Sequence, residues 1–108
     1  MIFIVAKWPV KPEFVEQWPD LVEEFTQATR AEVGNKWFEW SRSLDEPATY
    51  VLVEAFDDDA AEAHVTSEHF RKATAELPKY LARTPDIVNA TIDQEAWSEL
   101  GEMAVGGQ

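Results

Sequence analysis

His64 and His69 are the chain's two histidines, and both lie in one acidic and apolar segment, Glu54 to Phe70, EAFDDDAAEAHVTSEHF. Imidazole changes charge near neutral pH, so a histidine inside a pocket is a natural general base. His64 follows Ala60 and Ala61 by one helical turn. Those small residues suit a face turned toward a sheet, so His64 is expected to be partly buried. It is then either a core histidine bonded to a backbone carbonyl or a base in a pocket. Glu54 shares a strand face with Tyr50, Leu52 and Phe56. A carboxylate on such a face is either paired or has a raised pKa. His64, on the helix that follows, is its natural partner. The pair either ties helix to strand or forms a buried dyad that takes a substrate proton.

Five further residues are candidate substrate contacts. His69, next to Phe70 and followed by Arg71 and Lys72, is expected nearer the surface. Asn35 either ends a helix or orients a ligand at a pocket rim. Trp37 follows on the same side of an alternating strand, and Trp8 and Trp18 are further candidate walls. Each tryptophan has core packing as its competing role. On one continuous helix, His64 and His69 would be separated by about 140° of rotation, which argues against a chelating pair, and no metal site is expected. The chain has no Gly-rich phosphate loop, nucleophile elbow or dinucleotide fingerprint.

These residues need elements to position them. Ile2 to Trp8 reads as a strand, and Pro9 and Pro12 punctuate a turn. Over residues 13–33, Phe14, Trp18, Leu21, Val22, Phe25 and Ala28 form a helical stripe. Pro19 either kinks that helix or starts its main segment, and because the stripe stays in phase across it a kink is expected rather than two unrelated helices. Gly34 and Asn35 are expected to end it through a left-handed cap. Residues 36–43 and 49–56 read as a hairpin around the turn Asp45-Glu46-Pro47. Residues 58–78 read as a second helical region in two pieces, the second capped by Ser67 and burying Phe70, Ala73 and Leu77. Residues 86–93 form the last strand, and one helical turn is expected around Trp97.

The order β-α-β-β-α-β predicts an α+β, ferredoxin-like domain: a four-stranded antiparallel sheet with both helices on one face. By alternation, the other face presents Phe3, Val5, Phe38, Trp40, Val51, Val53, Val88, Ala90 and Ile92. A patch of that size calls for a partner. A second copy packing sheet against sheet would cover it, so a homodimer is expected, with the C-terminal tail reaching toward the partner.

The bulk numbers set limits. A chain of 108 residues suits one domain, and 45% apolar residues can fill its core. The 21 acidic residues outnumber the 9 basic ones, giving a net charge of −12. Nucleic acid and anionic membrane surfaces are therefore poor partners. No cysteine is present, which excludes disulfides and thiolate metal sites and suits a reducing, cytoplasmic setting. The apolar runs are strand-length, so neither a membrane span nor a signal peptide is expected.

One long stretch, TRAEVGNKWFEWSRSLDEPATYVLVEAFDDDAAEAHVTSEHF, resembles the antibiotic biosynthesis monooxygenase-like domains of the dimeric α+β barrel superfamily. The likeness rests on several features. A Glu-X-Gly turn leads into an aromatic strand, and Val-Glu-Ala-Phe follows an acidic-Pro turn. His64, Ser67, His69 and Phe70 then form a His-X-X-Ser-X-His-Phe signature. The resemblance covers residues 1–94 and leaves 95–108 as a tail. It implies a homodimer with a pocket in each subunit between helices and sheet. Some such proteins oxidise quinols or phenols with molecular oxygen and no metal or flavin. Others cleave haem, using an Asn on the first strand and a Trp on the second helix, both absent here. Others isomerise a phosphorylated sugar.

The leading expectation is a cofactor-independent monooxygenase acting on a hydroquinone or polycyclic phenol. His64 would be the base, oriented by Glu54, with Asn35 and Trp37 holding the oxygenated ring. The alternatives are a non-catalytic dimeric module that binds a small apolar ligand, and an isomerase of a small phosphorylated carbonyl compound that would use Lys7, Lys36 or Arg42.

Overall fold

Residues Ile2–Pro9 form strand β1, and their alternation sets the two faces of the sheet. The computed structural model describes residues 1–106. After β1, a tight 3-10 turn over Pro12–Gln17 leads into α1, Trp18–Leu21, and α2, Glu23–Arg30. Pro19 does not kink a continuous helix as expected: it occupies the first turn of α1, where its missing donor costs nothing, so it starts the α-helical segment. Trp18, Val22 and Phe25 are buried along the expected stripe.

The hairpin is β2, Asn35–Arg42, and β3, Thr49–Phe56. The second helical region divides into α3, Ala61–Val65, and α4, Glu68–Glu76. Ser67 has extended backbone and accepts a hydrogen bond from the Phe70 amide, capping α4. Ala73 and Leu77 are buried beneath it. Strand β4 is Asp86–Thr91. The last helical turn forms at Gly101–Met103, downstream of Trp97 rather than around it.

All neighbouring strands are antiparallel, in the order β2-β3-β1-β4. This is the ferredoxin-like order, in which each helical segment crosses back over the sheet between strands that are not hydrogen-bonded neighbours. Both helical segments cover one face. The core there joins Trp18, Phe38, Tyr50, Leu52 and Leu77. Trp18 is fully buried against Trp8, Trp40 and Tyr50.

The register corrects the expected faces. Phe38 lies opposite Glu54 and Trp40 opposite Leu52, so both rings face the helices rather than the open side. The cause is a β-bulge between Asn35 and Trp37, where two steps along β2 match one along β3. Asn35 pairs with Phe56 on the helix face, and Trp37 pairs with Ala55 on the open face. The open face otherwise carries Phe3, Val5, Val51, Val53, Val88 and Ala90, as alternation predicted. Val88 is 71% exposed there. Trp37 packs edge-on to Phe3 and stacks on Trp97 of the tail, with ring centroids 4.7 Å apart in the stack.

Gly34 does not make the expected left-handed cap, because the positive φ among the described residues belongs to Gly106. Its role is clearance. A β-carbon at Gly34 would fall 2.2 Å from that of Ala60. The missing side chain lets the α2–β2 turn press against the start of α3.

Candidate functional site

That close approach builds the site. The α2–β2 turn is closed by hydrogen bonds from the Glu32 amide to the Thr29 carbonyl and from the Asn35 amide to the Glu32 carbonyl. The Asp57 amide then donates to the Gly34 carbonyl, joining the turn to the end of β3. Glu32 is thereby aimed at α3. Its Oε2 lies 2.8 Å from His64 Nδ1 and 2.5 Å from His69 Nε2.

The two histidines converge because their helix is broken. The Ser67 hydroxyl donates to the His64 carbonyl at 2.6 Å and accepts from the Phe70 amide, ending α3 and restarting the chain as α4. The rotation expected on one helix no longer applies, and the imidazole centroids are 6.0 Å apart. His69 is half-buried against Phe25 rather than set at the surface. The expectation of no metal-ligand cluster fails for the same reason: Glu32, His64 and His69 bring three ligand atoms within 4.8 Å of one another.

His64 is buried among Phe25, Phe56 and Phe70. A carboxylate only accepts hydrogen bonds, so Nδ1 carries the proton it shares with Glu32. Nε2 is then the basic nitrogen of the ring. His64 also borders a cleft of about 310 Å³ between the sheet and α4, while Glu32 is not among the residues that line it. Trp8, Phe25, Leu52 and Phe70 supply apolar walls, and Glu54 is the lining carboxylate.

Glu54 is 93% buried, with no hydrogen bond to His64 among the described residues. Burial pushes its pKa up from 4.5 to about 7, with the nearby charge of Glu32 adding to the shift. The expected Glu54–His64 pair is thus replaced by Glu32–His64, with Glu54 standing separately in the same cleft.

The structure brings Glu54, His64 and Trp8 together around this cleft. His69 meets Glu32 beside the cleft without lining it, and the other three candidates do not reach it. Trp18 is core. Asn35 donates to the Trp37 and Ala55 carbonyls and braces the bulge. Trp37 is across the sheet. The residue that sequence reasoning missed is Glu32. It was visible as the acid of the Glu-X-Gly turn, but its reach to the histidines depends on how closely that turn meets α3.

The fold and site define a ferredoxin-like α+β domain with a ring-lined cleft between sheet and helices. A family model described as antibiotic biosynthesis monooxygenase matches residues 1–76, a span that includes Glu32, Glu54, His64 and His69. The Bacillus subtilis (strain 168) protein named "Putative monooxygenase YcnE" is 30% identical over 95 residues, covering 87% of this chain and all of that one. A conserved protein from Methanosarcina mazei Go1 superposes with a TM-score of 0.76 at 27% identity, over 82% of this chain and 89% of that one. A Deinococcus radiodurans structure, titled as a putative antibiotic biosynthesis monooxygenase, superposes with a TM-score of 0.80 at 20% identity. That match spans 94% of this chain and all of the other. The chain belongs to the antibiotic biosynthesis monooxygenase family.

Proposed function

We propose that this protein is a cofactor-independent monooxygenase that oxidises a hydroquinone or polycyclic phenol with molecular oxygen. The observation that carries the reading is His64: its Nδ1 is held by Glu32 while its ring borders an apolar cleft. Family membership and the name of the Bacillus subtilis relative support a monooxygenase-like activity in general.

His64 Nε2 takes the phenolic proton, and Glu32 stabilises the resulting imidazolium. The phenolate is electron-rich enough to pass an electron to oxygen. Recombination of the two radicals forms a carbon–oxygen bond at the ring. Loss of the ring C–H proton and cleavage of the O–O bond then leave one oxygen atom as a new carbonyl. The other leaves as water, carrying the two protons released by the substrate. All four electrons that reduce oxygen come from the substrate, so a phenol and O2 give a quinone and water. Glu54, near half-protonated at neutral pH, is placed to exchange hydrogen bonds with the second oxygen function. The cleft is at the small end for ligand sites and suits one compact ring system.

Among the described residues no lysine or arginine lines the cleft, Lys7, Lys36 and Arg42 included, which weighs against the phosphate grip an isomerase would need. The open sheet face is the proposed homodimer interface, for its row of apolar side chains calls for cover.

Oxygen uptake with a panel of quinols tests the reading. Uptake is expected with the wild type and should fall at least about tenfold in His64→Ala. Equal uptake in a folded His64→Ala variant would reject the mechanism. Ligand binding that survives both His64→Ala and Glu54→Gln, with no turnover in the wild type, would identify a binding module instead.

A further inference from the structure

We propose that Glu32, His64 and His69 form a binding site for a divalent first-row transition metal, and that filling it silences His64 as a base. Two imidazole nitrogens from separate helices converge on one carboxylate oxygen, at 2.8 and 2.5 Å. The side chains of His64, Glu32 and His69 are 7%, 14% and 22% exposed, which leaves the cluster shielded but approachable past His69. A second observation points the same way. Glu32 Oε1 is buried with no hydrogen-bond partner among the described residues. Buried polar atoms are rarely left so, and a cation beside the carboxylate would satisfy it.

The donor set selects the ion. Calcium and magnesium favour all-oxygen shells, whereas two imidazoles and a carboxylate suit zinc and its neighbours. With bonds of about 2.1 Å, tetrahedral ligand atoms lie about 3.4 Å apart, so each of the two Glu32–histidine contacts must open by less than about 1 Å. The strongly acidic chain favours the approach of a dication. A metal on Nδ1 takes up the lone pair there, so the ring's one proton moves from Nδ1 to Nε2, and His64 can no longer accept a proton from the cleft.

The site shares His64 with the proposed reaction, yet it is read without turnover. Chelator-treated full-length protein is titrated with Zn²⁺ against a chromophoric chelator, and with Co²⁺ followed by visible absorption. One ion per chain is expected, with a cobalt spectrum distinct from that of the aqua ion. His69→Ala and Glu32→Gln should each weaken Zn²⁺ binding at least about tenfold, while Asp59→Asn, at an exposed acid, leaves it unchanged. Glu32→Gln preserves shape, so its result holds even if His69→Ala disturbs the fold. Absence of wild-type binding, or unchanged affinity in Glu32→Gln, overturns the site. Wherever quinol oxidation is present, saturating Zn²⁺ should lower it at least about tenfold; full activity with the site filled overturns the silencing. Zinc binding without any oxygen uptake would leave the metal site standing and bring down only the oxidation.

Discussion

His64 and Glu54 were conspicuous in the sequence because a histidine and an acid interrupted apolar faces. Their burial followed from that pattern, and their partners did not. Glu32 lies far from both histidines along the chain, and no periodicity links it to α3. Its place is set by the α2–β2 turn, which presses on Ala60 and is tied to the end of β3 by the Asp57–Gly34 hydrogen bond. Glu54 is left to titrate alone, with its pKa raised from 4.5 to about 7 by burial and by the charge of Glu32. Between those values the folded chain keeps a proton that the unfolded chain has released. Its contribution to stability therefore falls as pH rises through that window and levels off above about pH 7. Glu54→Gln removes this dependence. Denaturant unfolding should find the variant more stable than wild type by roughly 1–3 kcal/mol at pH 8, with the gain gone near pH 4.5. A difference that is the same at both pH values would contradict a raised Glu54.

At the scale of elements, most of the fold was legible. Ser67 and the apolar stripes marked a helix start and buried faces through local rules, and β3 formed over the expected residues, while Pro19 began a helix where a kink was expected. What was not legible was the bulge at the start of β2, because one extra residue leaves the composition of a strand unchanged while exchanging its faces. Trp37 was thereby lost from the pocket, and Phe38 and Trp40 were gained by the core. Gly34 was recognised as a necessary glycine for the wrong reason: it provides space, not a left-handed turn. Gly34→Ala should accordingly cost roughly 1–3 kcal/mol through overpacking against Ala60, and Ala60→Gly in the same chain should restore much of it. Thermal unfolding of the two variants checks this. A single variant as stable as wild type would show that the turn and α3 have room to part.

For the whole molecule, the helices shield one face of the sheet and leave the apolar other face with only partial cover from the tail, through Trp97 on Trp37. Light scattering at micromolar concentration should report a dimer, and Val53→Glu in the middle of that face should shift the mass toward the monomer while leaving the helix-side core intact. A monomeric wild type would contradict the proposed interface. Whether the molecule acts on phenols turns on one atom, His64 Nε2, and on its freedom to accept a proton from the cleft. The most direct measurement is imidazole ¹⁵N NMR on metal-free protein at neutral pH, with and without a phenol too unreactive to oxidise. The account predicts His64 as the Nδ1–H tautomer, with an Nε2 resonance that moves when the phenol binds. An Nε2–H tautomer, or an Nε2 signal unmoved by a bound phenol, would contradict it.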